Sequence, residues 1–261
     1  MVGVCGRYAS GRDPRDLAGL FGVDRIDPVD EAADGAGNSD APAAGDLPPD
    51  WNIAPTKSVY AVLERTDRGQ PAARPVRRLR PVRWGLVPSW AASPKVGTTS
   101  MINARVETVA TKPAYRAALA ARRCLLPADG YYEWASGPDG AKTPYFLAPR
   151  DGGVLGMAGL YELWRDAAKH RDDPAAWLWS AVILTTRAIN ELGHLHDRMP
   201  VLVEPANYTA WLDPRRTDPV TALALLAPPP ADWLRYHPVS RAVGNVANNG
   251  PQLAQPVSVF G

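Results

Sequence analysis

Two cysteines, Cys5 and Cys124, are the first residues in this chain to test for chemistry. Two do not build a disulfide framework, and they lack the paired spacing of a zinc site, so each needs its own explanation. Cys124 sits inside the apolar run RCLLPA and reads as a small buried residue. Cys5 stands almost at the start, followed by Gly6 and Arg7 and preceded by Val4. A bacterial GTG codon encodes valine internally but methionine at a start. A chain begun at position 4 would therefore read Met-Cys-Gly-Arg-Tyr, and loss of that Met would give Cys5 a free α-amine. Self-cleavage before Cys5 leads to the same end, and on either route residues 1–4 are expected to be absent from the mature protein. A terminal cysteine carries two nucleophiles on adjacent carbons. Its amine condenses with an aldehyde to an imine, and its thiol closes on the same carbon to give a thiazolidine. An α-amine of pKa about 7.7–8.0 leaves a useful neutral fraction at cellular pH. Nearby cations such as Arg7 favour the thiolate. The competing reading of Cys5 is an inert small residue on an edge strand.

Three further groups are candidates. Glu133 lies in GYYEW between Tyr132 and Trp134. A carboxylate among aromatics either faces water from a strand or has its pKa raised for proton transfer. His196 lies in the run from His194 through Asp197, Arg198, Met199 and Pro200, and is an acid/base candidate or a structural histidine. Asn103 in INARVET can hold an amine, and Arg105 two residues later a phosphate, or both are turn residues. Trp84, Trp90, Tyr131, Tyr132 and Trp134 suit stacking on single-stranded bases, against the alternative of core packing.

The charge distribution favours a polyanionic partner. From Lys57 to Arg123 the chain carries fourteen Lys and Arg against Glu64, Asp67 and Glu107 alone, although its overall formal charge is only +2. A solvated Arg-rich surface is the competing explanation. No G-x-G-x-x-G or phosphate-binding loop is present, so a nucleotide cofactor has no support, and no metal or other cofactor is expected. No apolar run approaches a membrane span and the start lacks signal-peptide regions, so a cytoplasmic protein is expected, nucleoid-associated when acting on DNA.

The elements that must position these groups are mostly strands. Runs rich in β-branched and aromatic residues fall at 4–10, 58–64, 76–84, 123–128, 130–135, 143–148, 154–164 and 177–185, separated by Gly, Pro and Asp. Asp13 caps a helix with Pro14 in its first turn, and Leu17, Leu20 and Phe21 share its apolar face. Further helical patterns fall at about 113–122, 187–194, 205–212 and 219–226. Residues 24–50 are acidic, rich in Ala, Gly and Pro, and read as a flexible surface insertion without chemistry. With no βαβ alternation, the expectation is an α+β fold: one domain over 1–261, a largely antiparallel, barrel-like β core and peripheral helices.

Taken in order, the motifs form a fingerprint. They are C-G-R-Y at 5–8, W-N-I-A-P-T at 51–56, R-W-G-L-V-P-S-W at 83–90, N-A-R-V-E-T at 103–108, R-C-L-L-P-A-D-G-Y-Y-E-W at 123–134 and H-D-R-M-P-V at 196–201. H-P-V-S at 237–240 and N-x-x-N-N at 245–249 follow. This order resembles the SRAP family of SOS-response-associated peptidases, or abasic-site-processing proteins, over nearly the whole chain outside 24–50 and 165–176. The resemblance implies one SRAP domain that binds single-stranded DNA and cross-links to abasic sites in the DNA damage response. It implies Cys5 as the nucleophile, Asn103 positioning its amine or the sugar, Glu133 handling protons and His196 assisting opening of the deoxyribose ring. It also implies that Arg7, Arg105 and Arg198 hold phosphates, while Trp84, Trp90 and Trp134 stack on bases. The cysteine of that family normally follows the initiator Met directly, whereas Val2, Gly3 and Val4 intervene here. If they stay attached, the amine is an amide and the thiazolidine cannot form.

Two other functions compete: a cysteine peptidase acting on other proteins through Cys5 and His196, and a non-covalent single-stranded DNA binder with an inert Cys5. A weak lyase activity is a further expectation, because an imine at C1′ acidifies the C2′ protons. A monomer is expected.

Overall fold

Long apolar runs become the long strands, and the helices shrink to short pieces on one face. The structure is a computed structural model describing residues 6–29, 46–66, 74–95, 101–137, 140–189, 192–193, 195–227, 230 and 232–257. In chain order the elements begin with β1 (Tyr8–Ser10), α1 (Pro14–Phe21), β2 (Arg25–Ile26), β3 (Asp50–Ile53), β4 (Ser58–Arg65), β5 (Val76–Trp84) and β6 (Asn103–Arg105). Next come α2 (Arg116–Ala121), β7 (Arg123–Ala128), β8 (Gly130–Ser136), β9 (Lys142–Pro149), β10 (Leu155–Arg165) and β11 (Trp177–Arg187). The last are β12 (Arg198–Pro200), α3 (Tyr208–Leu212), α4 (Pro219–Leu223) and β13 (Leu234–Pro238).

Two sheets result. In the larger, β11, β10, β7, β4 and β5 pair antiparallel in that order, and β5 returns to β11 in parallel through Arg83↔Ser180 and Trp84↔Ala181. That contact closes a five-stranded mixed barrel, as the barrel-like α+β expectation required. The smaller sheet runs β13-β9-β8-β1-β3 and carries the N-terminal strand between β8 and β3.

Period-2 alternation sorts the side chains. Ala61, Leu63, Val82, Cys124, Leu126, Met157, Ala181 and Ile183 share one core with Tyr8, Ile53, Tyr131 and Leu147 of the smaller sheet. Tyr60, Val62, Leu79, Leu125, Leu160, Val182 and Leu184 pack instead with Leu17, Phe21, Leu119, Trp211 and Leu212 of the helices. Gly159 makes the barrel's tight contact possible. A Cβ there would collide with Leu126 Cδ1 and lie 2.9 Å from the Val182 carbonyl and 3.0 Å from Cys124 Sγ.

α1 forms as its sequence dictates. Asp13 accepts from Arg15 N–H at 2.8 Å, Pro14 occupies the first turn, and Gly22 ends the helix at φ 61°. The other helices are shorter than their patterns. Over 113–122 only Arg116–Ala121 is helical, and 205–212 divides into a 3-10 turn at Pro205–Asn207 and α3. The described part of 187–194 holds no α-helix. There β11 runs on to Arg187, which pairs with Arg198 of β12, and Ala188 N–H bonds to the Asp197 carbonyl at 3.0 Å. Strand pairing has claimed a backbone whose side-chain pattern is helical. Part of 24–50 is also ordered: β2 pairs with β5, Asp27 is buried, and β3 begins at Asp50. Residues 30–45 lie outside the described residues. No helix among the described residues is long and apolar enough to cross a membrane.

Candidate functional site

Cys5 lies outside the described residues, one peptide bond before Gly6, so the site is built from the strand that follows it. β1 pairs with β8 through Tyr8↔Tyr131 and Ala9↔Gly130, and Tyr132 N–H donates to the Arg7 carbonyl at 2.9 Å. On its other side β8 lies so close to β9 that a Cβ at Gly130 would meet the Phe146 ring and the Leu147 carbonyl. The Arg7 guanidinium is half-buried. Its Nη1 donates to Asn52 Oδ1 at 2.6 Å and to the Val243 carbonyl at 2.8 Å, and it stands 5.8 Å from the centre of the Trp134 ring. Burial pulls its pKa down, partly offset by Tyr132 and Asp50.

Glu133 is only 3% exposed, which rules out the water-facing alternative. Its neighbours alternate. Tyr132 and half-buried Trp134 pack on the outer side with Ala9 and Phe146, whereas Tyr131, Ala135 and the cross-strand partner Tyr145 belong to the core between the sheets. Strand pleat therefore directs Glu133 toward that inner core. Asn103 stands opposite Ile183 in the parallel β6–β11 pair. Ile183 belongs to the inner core and Ala104 to the helix-side one, so Asn103 shares the inner face as well. The turn before His196 packs there through Leu192 and Leu195. The carboxylate, the carboxamide and the histidine turn thus come from remote segments to one core. The imidazole is 21% exposed in its side chain, with Nδ1 2.7 Å from Asp197 Oδ1 and 3.1 Å from Arg198 N–H. These two contacts need opposite protonation at Nδ1: the N–H donates into its lone pair, while Asp197 accepts from a protonated nitrogen.

Two of the expected DNA contacts need correction. Trp84 is fully buried, packed edge-on against Tyr8 at 5.2 Å, with its indole N–H donating to the Ile102 carbonyl at 3.0 Å. It offers no ring face to a base and is a core residue. Arg198 is buried too, and its guanidinium grips both Glu107 oxygens at 3.0 and 2.9 Å and the Thr185 carbonyl at 2.7 Å. It holds β11 to the segment after β6 instead of awaiting a phosphate. The same bonds hold the Glu107 carboxyl below its ordinary range, first through the hydrogen bond from Arg198. Arg105, by contrast, is exposed on β6. Trp90 is 68% exposed on a loop that is itself pinned. Val87 N–H donates to Ser180 Oγ, Trp164 Nε1 to the Ala91 carbonyl and Arg83 Nη2 to the Pro94 carbonyl, at 2.9, 2.7 and 2.7 Å. Trp90 is thus a large apolar ring facing solvent from a loop held by three hydrogen bonds.

The basic block is less basic in three dimensions than in one. Asp27, buried and outside the block, takes Arg80 at 3.0 Å, Arg25 at 3.1 Å and Arg78 at 3.4 Å. Arg77 is paired with Glu64 and Arg122 with Glu162. Arg123 is buried, donating to the carbonyls of Leu119, Ala120, Trp211 and Asp213 at the ends of α2 and α3. Cys124 is fully buried and its thiol pKa is pushed far up by that burial, which makes it inert. Among the described residues no cluster of His, Cys, Asp and Glu could hold a metal ion. A cavity of about 740 Å³ beside α1 and α3, lined by Phe21, Tyr208 and Trp233, contains none of the candidate site residues.

Asn52 and the tail are neighbours of Arg7 that residue-by-residue reasoning missed. Asn52 is fully buried and joins Arg7 to the 243–248 segment. The signal was present in W-N-I-A-P-T and N-x-x-N-N, but only as a fingerprint without a stated contact.

The family model for SOS response associated peptidase (SRAP) matches residues 4–246. The chain is 32% identical over 252 residues to "Abasic site processing protein YoqW" of Bacillus subtilis, covering 97% of this chain and 99% of that one. It is 31% identical over 257 residues to "Abasic site processing protein YedK" of Escherichia coli, covering 97% and 100%. A crystal structure of a protein from Bacteroides thetaiotaomicron superposes with a TM-score of 0.74 at 20% identity, covering 97% of this chain and all of the other, and shares its fold.

Proposed function

Because this chain belongs to the SRAP family, we propose that it processes abasic sites in single-stranded DNA, with Cys5, freed of residues 1–4, as the residue that bonds to the sugar. An abasic sugar exposes an aldehyde once its ring opens. The Cys5 amine adds to C1′ and expels water, giving an imine. The thiol then adds to the same carbon, forming the C–S bond while its proton passes to the nitrogen. No oxidant or cofactor is needed. The product is a thiazolidine that shields the site from strand cleavage.

Glu133, a carboxyl buried beside the strand that leads from Cys5, moves protons during imine formation. Asn103 orients the amine or the sugar hydroxyls, and His196 assists ring opening. Arg7 and Arg105 hold phosphates, while Trp90 and Trp134 stack on flanking bases. A single strand suits this arrangement because no base has to leave a duplex. Exposure of Cys5 by a start at position 4 or by self-cleavage, a weak lyase activity from the imine, action as a monomer at the nucleoid and a place in the SOS response complete the proposal.

The observation that carries this reading is the bond from Tyr132 N–H to the Arg7 carbonyl. It ties the strand leading from Cys5 to the residue beside a buried carboxylate. The test is an adduct that survives denaturing electrophoresis. It should form with an oligonucleotide carrying an abasic aldehyde, fail with the tetrahydrofuran analogue that lacks one, and fail in Cys5→Ala. Intact mass of active protein showing residues 1–4 still attached would overturn it, as would turnover of peptides without DNA.

A further inference from the structure

We propose that Asn52 is a positioning residue for this chemistry, acting through Arg7, and that the C-terminal tail is thereby part of the site. The inference rests on Cys5 being the bonding residue. A chain terminus frays unless something ties it down, and here the tie comes from the far end of the sequence. The Asn52 carboxamide is 0% exposed, and both its donor and its acceptor ends are engaged. Its Nδ2 donates to the Asn245, Asn248 and Val243 carbonyls at 2.9, 3.0 and 3.2 Å, while its Oδ1 accepts from Arg7 Nη1 at 2.6 Å. Three carbonyls on one side and a guanidinium on the other leave only one orientation for the amide.

The tail is clamped in turn. Trp51 N–H donates to Asn249 Oδ1 at 2.8 Å, Asn249 Nδ2 donates to the Pro49 carbonyl at 3.1 Å, and Asn248 Nδ2 closes on the Ala242 carbonyl at 2.8 Å. Arg7 also donates to the Val243 carbonyl at 2.8 Å, so tail, carboxamide and guanidinium form one closed figure. Arg7 is two residues from Cys5. Fixing its side chain on one side and its carbonyl on Tyr132 on the other sets the direction in which the chain leaves β1 toward its nucleophile. Asn52 touches no substrate. Its contribution is to hold amine and thiol within reach of the sugar carbon, where orientation alone can govern rate.

The experiment is single-turnover cross-linking to an abasic oligonucleotide by the wild type, Asn52→Leu, Arg7→Met and the double variant, with affinity measured separately on the tetrahydrofuran oligonucleotide. Each single change should lower the rate constant at saturating DNA by about tenfold or more. The double variant should be no slower than the slower single, because both break the same link. Asn52→Leu should change affinity by less than about threefold, which is the split between rate and binding that a loss of fold would not give, whereas Arg7→Met also gives up its phosphate contact and binds more weakly. If Asn52→Leu does not fold, Asn52→Ser takes its place, since it removes the carboxamide while keeping a small polar side chain. Singles at the wild-type rate, rate losses that multiply in the double variant, or loss confined to affinity would each overturn the proposal. A wild-type protein that forms no adduct would instead sink the cross-linking function itself, and this inference with it.

Discussion

Arg198→Met separates a structural clasp from a phosphate ligand. The guanidinium makes a two-pronged pair with Glu107 and a 2.7 Å bond to the Thr185 carbonyl. Glu107 is 45% exposed, so solvent screens the pair and its loss costs about 0.5–1 kcal/mol. The Thr185 carbonyl still accepts from Val106 N–H at 3.0 Å, so only the charged bond from Arg198 is lost there, which adds about 1.5 kcal/mol. Packing of the methionine returns a little, and a net loss of about 2 kcal/mol is expected. For a chain of this length that lowers Tm by roughly 4–8 °C. The binding readout is anisotropy of a labelled single strand across a salt series. Each phosphate contact contributes about 0.7 to the slope of log affinity against log salt on single strands. Arg198→Met should leave that slope unchanged. Exposed Arg105→Gln should do the reverse, lowering the slope by about 0.7 while stability stays within about 0.5 kcal/mol. An Arg198→Met protein with an unshifted Tm and a shallower salt slope would refute the clasp.

Other expectations follow from the same structure. The Glu107 carboxyl is depressed in the folded state, so its pair stabilises fully above the ordinary value of about 4.3 and loses that contribution as pH falls through the depressed value. The stability gap between wild type and Glu107→Gln, measured by urea unfolding, should therefore be widest near neutrality and close in acid. Gly159→Ala should cost about 1–3 kcal/mol by chemical denaturation, because its Cβ meets Leu126, the Val182 carbonyl and Cys124 together. With Cys124 buried and its thiol pushed up, iodoacetamide should label only Cys5 in native protein and reach Cys124 only after unfolding, as read by peptide mass mapping.

Strands were legible where burial on both faces selects β-branched and aromatic residues. The runs at 76–84 and 123–128 appear unchanged as Val76–Trp84 and Arg123–Ala128. Helices were legible where their own caps decide them, as Asp13 and Pro14 decide the start of α1. They were misread where distant pairing decides, as when Asp197 takes the N–H of Ala188. The aromatic beside each polar candidate was ambiguous for the same reason. Trp84 and Trp90 stand six residues apart in one motif, yet one is core and the other solvent-facing, and only tertiary packing distinguishes them. Glu133 was identified as a residue but not as a buried one, because alternation through GYYEW does not reveal which face is covered. The pairing of β5 cations with Asp27 and the reach of Asn52 to Asn248 depend on long-range approach, which no local pattern encodes.

The barrel is sealed by a short parallel seam, Arg83 beside Ser180 and Trp84 beside Ala181. Its two edges are about a hundred residues apart in sequence, so the seam can zip only after the intervening antiparallel ladder has assembled and its loop entropy has been paid. Refolding should consequently run late in its final step, with the Trp84 indole passing from water to the interior as that step occurs. Trp84, one of the chain's nine tryptophans, stands at that seam.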